Sequence, residues 1–349
     1  MSAPRTTTVA LVAALLATAA CTIAPSPRPS SQHMRAPVSN APAPATSPTG
    51  TSTPSAVDPA AVDANELGTV PVLMYHRITT APKTVYDRTP DAFRAELVRL
   101  VREDYVPVTA ADYVDGDLDL PAGAHPVVLT FDDGDPSQFS LDAAGRPAAG
   151  TAVSIMLAVA AEHPEFRPVA TFFVNADPFG DPGGSRTLPW LAEHGMEVGN
   201  HTATHVNLGE ATSDEVRREI LTQDQEIRRT GLSPATLAYP FGATPDEPGL
   251  ALRGTVGAAE YRYRGAFLVG ANPAPSPYAA DFAPAAIPRI RSQDATGADA
   301  AFCSTVWLDK LAAAPATRYT SDGDPNHISF PAAAAGNPAA KFAQRVRTY

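Results

Sequence analysis

The sequence contains little cysteine, no run of basic residues and no long hydrophobic run. Only two of its 349 residues are cysteines, Cys21 and Cys303, so disulfide bonds can contribute little to its stability. The formal net charge of −11 and the lack of a basic run argue against a nucleic-acid-binding surface. The N-terminal apolar run, 9–17, is too short to span a membrane.

Residues 1–21 have the features of an export signal. Arg5 precedes the apolar run, and small residues precede Cys21, which predicts a secretory signal peptide. The cysteine after small residues resembles a bacterial lipoprotein signal, in which Cys21 would carry lipid and attach the protein to the membrane. Thr18 departs from this pattern, because such signals usually have leucine there, and the alternative is ordinary secretion with cleavage near Ala20. We therefore expect an exported protein, either a lipoprotein on the extracellular face of the cell membrane or a secreted protein.

The next segment, 22–65, is rich in proline, serine, threonine and alanine. Such a composition buries too little apolar surface to offset chain entropy, so we predict a disordered linker. Residues 66–349 are long enough for one large domain with a sizeable core. If Cys21 is lipidated, that core must stabilise the domain without an intramolecular disulfide.

Apolar strand-like runs alternate with helix-like segments through the domain. Predicted strands begin near Val70, Tyr105, Val127, Val169 and Met196, and later ones lie near Ala235, Ala266 and Ala286. The clearest helix is predicted from Ser213 to about Arg229, whereas 137–150 has the composition of a surface loop and patterning weakens after Asp294. The alternation predicts an α/β fold, either a parallel barrel or a doubly wound sheet.

In the segment from Val127 to Gly134, a short apolar run is followed by two adjacent aspartates, Asp132 and Asp133, and then by a glycine that predicts a turn. Parallel α/β proteins place chemistry where a buried strand ends. Adjacent carboxylates repel each other, and a metal bound by one would leave the other free as a base. An Asp-Gly turn is the simpler alternative.

A histidine pair, His201 and His205, offers further ligands. Its spacing of four is a weak signal alone, because two partly exposed loop histidines would look the same. Together with a strand-end aspartate, however, the pair completes a three-ligand set with open positions, as catalytic zinc sites require.

Three ordered motifs resemble a known family. They are Thr130-Phe131-Asp132-Asp133-Gly134, His201-Thr202-x-x-His205 and Tyr239-Pro240-Phe241-Gly242. They are similar to the polysaccharide deacetylases of the NodB-homology type, carbohydrate esterase family four. The resemblance implies a distorted (β/α) barrel that hydrolyses N-acetyl groups on amino sugars. It also implies that Asp133, His201 and His205 hold a divalent metal, usually zinc, and that Asp132 is the general base. Cobalt or nickel would also suit these ligands.

The resemblance also implies which residues stabilise the developing negative charge and which residue acts as the general acid. A backbone N–H in the turn formed by Tyr239, Pro240 and Phe241 would donate to the developing oxyanion. The family's usual C-terminal acid pattern is missing. However, the opening run that ends in His76 is similar to that of exopolysaccharide (poly-N-acetylglucosamine) deacetylases, where this histidine is the acid. We therefore predict His76, with His327 a distant second. The alternative for His76 is a core histidine.

Two further departures concern Ala238 and the segment 135–150. Many family members have an arginine at the position of Ala238, which orients the base; here Arg289 is the candidate substitute, with a surface ion pair as its alternative. Asp135 to Ser140 replace an aromatic stretch that often follows the aspartate pair in the family. The sequence leaves open whether this segment shapes substrate choice or is a tolerated loop.

Together these features predict a metal-dependent N-deacetylase of an N-acetylglucosamine-containing polysaccharide, acting as a monomer with no nucleic-acid partner. One alternative is an O-acetyl esterase acting on xylan-type substrates. The other is a catalytically silent carbohydrate-binding lipoprotein, because a fold alone does not secure a function.

Overall fold

The computed structural model describes residues 57–334 and 336–349. The predicted signal peptide, Cys21 and most of the predicted linker lie outside the described residues. The predicted end of that linker at residue 65 is wrong, because Pro59–Val62 form a 3-10 turn and Asn65 is buried. The Asn65 side chain donates to the carbonyl of Ala316, and its backbone N–H donates to that of Thr320. The folded part therefore begins before residue 65.

The described residues contain twelve strands and six α-helices. The strands are β1 (Val72–Tyr75), β2 (Tyr105–Val108), β3 (His125–Asp132), β4 (Thr171–Val174), β5 (Glu197–Asn200), β6 (Thr236–Ala238), β7 (Arg253–Val256), β8 (Ala259–Arg262), β9 (Gly265–Phe267), β10 (Ile290–Arg291), β11 (Ile328–Phe330) and β12 (Val346–Thr348). The helices are α1 (Pro90–Arg102), α2 (Ala110–Asp115), α3 (Ala152–Glu162), α4 (Thr187–Glu193), α5 (Ser213–Arg229) and α6 (Ser304–Ala313). No helix in these ranges is long and apolar enough to cross a membrane.

Eight of the strands form one parallel sheet, in the order β10-β1-β3-β4-β5-β6-β9, with β2 paired to the first half of β3. The strand β3 is central, because it pairs with β1, β2 and β4. Near the two ends of the sheet, Phe267 on β9 forms a parallel bridge with Ile287, just before β10. The sheet curves into a half-barrel with flanking helices, which confirms the predicted α/β fold and the distorted (β/α) barrel.

Both faces of the sheet are buried, and the central strand shows how the residues divide. Alternate residues of a strand point to opposite faces. Val127, Leu129 and Phe131 pack with α1, α3 and α4, where the Phe131 ring stacks on Phe172 at 4.9 Å between centroids. Val128, Thr130 and Asp132 share the other face, towards the interior of the half-barrel. Asp132 is thus a polar residue at an interior position.

Side-chain caps explain where several helices begin. Thr212 caps α5 in a reciprocal capping box with Glu215, and the helix spans the predicted range from Ser213 to Arg229. Thr109 caps α2 in the same way with Asp112. The sequence interpretation missed α2, although the Thr-x-x-Asp spacing would have indicated its start.

Two sequence interpretations need correction. Beyond Asp294 the chain forms α6 and the parallel pair β11–β12, which weak patterning did not reveal because these elements are short. Within 137–150, Gln138 and Phe139 are fully buried, so the prediction of a surface loop is wrong for this part. The Phe139 ring packs on Trp190 at 4.9 Å.

Candidate active site

Four loops with polar side chains leave the same edge of the sheet. Asp132 ends β3 and Asp133 follows it, His201 follows β5, Tyr239 follows β6 and His76 follows β1. Because these strands are parallel, their carboxyl ends meet at one edge. The predicted residues are therefore brought together from distant parts of the chain.

Asp133, His201 and His205 form a compact group of potential ligands. One ligand atom from each lies within 4.8 Å of the others, and Asp133 Oδ1 is 3.4 Å from Nε2 of each histidine. These distances are too long for hydrogen bonds. They match the separation of about 3.3–3.4 Å between ligands held about 2.0–2.1 Å from a tetrahedral metal. The two imidazoles and the carboxylate therefore fit a divalent cation such as zinc.

The histidine loop is held by two side-chain amides and one main-chain carbonyl. Nδ1 of His201 contacts the carbonyl oxygen of Ala238 at 2.8 Å, which aims Nε2 at Asp133. Asn175 donates to the carbonyls of His201 and Thr202, and Asn200 accepts from the Thr202 N–H at 2.7 Å. The Nε2 atom of His201 thus has a fixed orientation.

Several site residues have left-handed backbone conformations that cost energy in residues other than glycine. The φ angles are 76° at Asp133, 65° at Thr202, 56° at His205 and 58° at Phe241. Such strain persists only where the surrounding structure enforces it, and it clusters at functional sites.

The electrostatic environment favours the metal-binding protonation states of Asp133 and His205, the two more exposed residues of this group. Burial raises the pKa of Asp133, but the contact with His201 outweighs this and holds the pKa below its usual range. Burial lowers the pKa of His205. A carboxylate and a neutral imidazole are the protonation states that bind metal.

Asp132 is bound by Arg289 in a buried bidentate ion pair. Nη1 and Nη2 of Arg289 each lie 2.7 Å from a carboxylate oxygen of Asp132, and the two side chains are 0% and 1% exposed. Arg289 also donates from Nε to the carbonyl of Leu268 at 2.7 Å and from Nη1 to the hydroxyl of Thr130 at 3.2 Å. The surface ion pair considered for Arg289 is thus excluded.

This pair keeps Asp132 ionised inside the protein. Burial alone would raise the pKa of Asp132, but the charge and hydrogen bonds of Arg289 hold it well below the usual range. The site therefore combines a cation-binding group with a fixed, ionised carboxylate, which suits hydrolysis by an activated water.

His76 lies beside this group without a side-chain anchor of its own. Its ring packs on Tyr86 at 4.9 Å between centroids, and within the described residues its buried Nδ1 has no hydrogen-bond partner. Burial lowers the pKa of His76, while the charges of Asp132 and Asp133 oppose that shift. His76 thus belongs to the electrostatic environment of both aspartates.

In the turn after β6, the backbone N–H of Phe241 has no acceptor among the described residues. The N–H groups of Tyr239 and Gly242 bond to the carbonyls of Phe267 and Tyr239, and Pro240 has none. The Phe241 N–H is therefore the candidate donor. The Phe241 ring is 66% exposed and lies 4.6 Å from the His205 ring, whereas the Tyr239 side chain is buried with its hydroxyl bonded to Ala285.

The structure does not bring His327 to this group. His327 contacts Asp324 at 2.6 Å, and the same segment bonds through the Ser321 N–H to the carbonyl of Ala124, which precedes β3. The two ends of the eight-residue β3 lie roughly 23 Å apart at about 3.3 Å per residue. His327 thus lies towards the end of β3 opposite Asp132.

Three side-chain amides that support the site escaped the sequence interpretation. Gln138 contacts the main chain of His76 and Asp132, while Asn175 and Asn200 hold the histidine loop. Asn200 directly precedes the His201 motif, which could have drawn attention to it. Gln138 and Asn175 carry no comparable signal, because their partners are backbone carbonyls.

The chain is similar to known proteins in sequence and in structure. Residues 119–255 match the family model for polysaccharide deacetylase, a range that includes Asp132, His201 and Phe241 but not His76 or Arg289. BC0361, a polysaccharide deacetylase from Bacillus cereus, is 20% identical with a TM-score of 0.52, covering 70% of this chain and 69% of that chain. BA0330 from Bacillus anthracis is 21% identical with a TM-score of 0.51, covering 69% and 68%.

These two solved structures share the fold of this chain, and the matched segment carries the motifs that follow β3, β5 and β6. Residues 119–255 therefore match the polysaccharide deacetylase family, and the chain shares the fold of these two solved structures.

Proposed function

We propose that this protein is a metal-dependent hydrolase that removes N-acetyl groups from an N-acetylglucosamine-containing polysaccharide of the cell envelope or extracellular matrix. The observation that carries the proposal is the ionised Asp132, held by Arg289, directly beside the ligand group Asp133, His201 and His205. The products would be acetate and a glucosamine residue.

In this proposal Asp132 is the general base. Its bidentate contact with Arg289 fixes the carboxylate and keeps it ionised, so it can accept a proton from an attacking water. A divalent cation, most simply zinc, would be held by Asp133, His201 and His205 and would supply Lewis acidity and a lowered water pKa.

The developing negative charge and the leaving group need two further residues. The Phe241 N–H is the proposed donor to the carbonyl oxygen as it gains charge. His76 is the proposed acid that protonates the departing amine, because it follows β1 at the edge of the sheet where Asp132 and Asp133 follow β3. Amines are poor leaving groups, so this proton is required.

Acetate release tests the proposal directly. The purified protein would be stripped with a chelator, reconstituted with zinc, cobalt or nickel, and incubated with peptidoglycan, chitin oligomers and poly-N-acetylglucosamine. We expect acetate from at least one substrate, loss of activity on chelation and recovery on metal addition. Full activity of the chelated protein would contradict the metal requirement, and the absence of acetate from all three would contradict the substrate class.

One observation favours an O-acetyl esterase as the second candidate. Burial lowers the pKa of His76, and in the described part of the chain its Nδ1 has no partner, so a smaller fraction of His76 carries the proton that an acid must donate. Ester leaving groups need less acid assistance than amines. If His76→Ala retained activity and acetylated xylan were the better substrate, the esterase would be the correct assignment. Glycan binding without acetate release would instead support the silent carbohydrate-binding lipoprotein.

The proposal includes export and attachment through Cys21, which lies outside the described residues. Its support is the signal-like sequence 1–21 and the composition of the linker. Cys21→Ala should move the protein from the membrane fraction to the medium in the producing cell. Unchanged membrane association of Cys21→Ala would exclude the lipid anchor.

A further inference from the structure

Gln138 lies behind the candidate site and contacts its main chain. The side chain is fully buried in the segment between β3 and α3. Its Nε2 donates to the carbonyl of His76 at 3.0 Å and to the carbonyl of Asp132. One amide therefore joins the ends of β1 and β3, which carry the proposed acid and the proposed base.

The neighbouring residue completes this contact. The hydroxyl of Ser137 accepts from the N–H of Ile78 at 3.1 Å, so Ser137 and Gln138 hold the main chain at His76 and two residues after it. The segment is itself anchored, because the Gln138 carbonyl accepts from the Val153 N–H at 3.0 Å and Phe139 packs in the core. The main chain at His76 is thus braced by a rigid element.

His76 and Asp132 differ in how far their positions depend on the hydrogen bonds of Gln138. Arg289 fixes Asp132 with two hydrogen bonds of 2.7 Å, independently of Gln138. The His76 side chain has no hydrogen bond among the described residues, and its ring packs on Tyr86. Loss of the Gln138 amide would therefore release His76 and leave Asp132 in place.

We propose that Gln138 is the positioning residue for His76, and that it sets the distance of the acid from the base by tying the His76 and Asp132 carbonyls together. This inference rests on the proposed function for the role of His76. It also assigns a role to part of the segment 135–150, because Ser137 and Gln138 form hydrogen bonds with the main chain of the site.

A substitution that removes the donor tests the inference. Gln138→Met keeps the length of the side chain and loses both hydrogen bonds. We expect kcat for acetate release to fall roughly 10- to 100-fold, the usual effect of a misplaced catalytic group, with KM and bound metal unchanged. Gln223→Met is the matched control, because Gln223 is buried to 1% on α5 and has no hydrogen bond to a proposed catalytic residue. It should leave kcat unchanged. An unaltered kcat in Gln138→Met would overturn the proposal.

A double-mutant cycle with His76 separates positioning from general damage. If Gln138 acts through His76, Gln138→Met should have no further effect on kcat in a His76→Ala background. Losses that multiply would show that Gln138 acts elsewhere. If Gln138→Met does not fold, Gln138→Asn replaces it, because its shorter amide cannot reach both carbonyls.

Crystal structures of the wild type and Gln138→Met give a readout that does not need activity. We expect the His76 ring to leave its place beside Tyr86 while the Asp132–Arg289 pair stays intact. A His76 ring in the same place in both proteins would overturn the inference. A wild type that releases no acetate from any glycan would contradict the proposed function, yet this structural comparison would still decide the role of Gln138.

Discussion

Replacing Arg289 with methionine should expose how much the buried ion pair contributes. The substitution removes two 2.7 Å hydrogen bonds to Asp132 and those to Leu268 and Thr130, and it leaves a carboxylate that is 1% exposed without its counterion. Breaking a buried pair by removing one partner costs roughly 3–5 kcal/mol. Because domains are stable by only about 5–15 kcal/mol, this is a large part of the total.

The loss should depend on pH in a defined direction. In the wild type the folded-state pKa of Asp132 is depressed, so its stabilisation is present above the unfolded pKa of about 3.9 and is lost only as pH falls through the folded pKa. Without Arg289, burial raises the pKa of Asp132 instead. The difference in unfolding free energy between the two proteins should therefore grow as pH rises from about 4 to 7.

Urea unfolding at several pH values measures this difference, provided that the slope against denaturant stays the same. Arg146→Met is the control, because Arg146 forms an exposed pair with Asp142 and its loss should leave the midpoint unchanged. Adding Asp132→Asn to Arg289→Met should recover stability by removing the unpaired charge. A loss below about 1 kcal/mol at pH 7, or no recovery in the double variant, would refute the reasoning.

Three further predictions concern the metal ligands, a buried acid and the exposed aromatic ring. Asp132→Asn should keep zinc but lose turnover, whereas His201→Ala should lose both, as metal analysis and acetate release would show; near-native turnover in Asp132→Asn would exclude it as the base. Burial and the charge of Asp322 raise the pKa of Glu66 to about 8. The contribution of Glu66 to stability should therefore fall between pH 4.5 and 8, so the unfolding free energy of Glu66→Gln relative to the wild type should rise over this range in urea unfolding; a constant difference would contradict the raised pKa. Phe241→Gly should fold normally, because glycine accepts a φ of 58°, but it should raise KM for glycan about fivefold by losing about 1 kcal/mol of apolar contact; an unchanged KM would exclude contact with substrate.

The sequence predicts the site best where the proposed site residues are close to one another in the chain. Asp132 with Asp133, and His201 with His205, stand in short motifs at strand ends, so strand patterning and parallel topology were enough to bring them together. Arg289 was found only through the resemblance, because nothing in its neighbours indicates a partner 157 residues away.

The remaining parts depend on contacts that leave no pattern. Gln138 bonds to main-chain carbonyls, which every residue possesses, so no partner type marks it in the sequence. The helix α6 and the pair β11–β12 are short, and their burial depends on surfaces that exist only in the folded chain. Hydrophobic periodicity does not reveal such elements, because tertiary packing determines whether they form.

The pairing of β10 with β1, and of β1 with β3, has a consequence for how the protein matures. His76, which follows the first strand, and Arg289, which precedes the last strand of the sheet, therefore lie on either side of the strand that ends in Asp132 along the chain. A growing chain contains the proposed ligands Asp133, His201 and His205 before it contains Arg289. The arginine that keeps the proposed base ionised is thus the last of the proposed site residues to be made, and the buried pair with Asp132 can form only after the chain has reached β10.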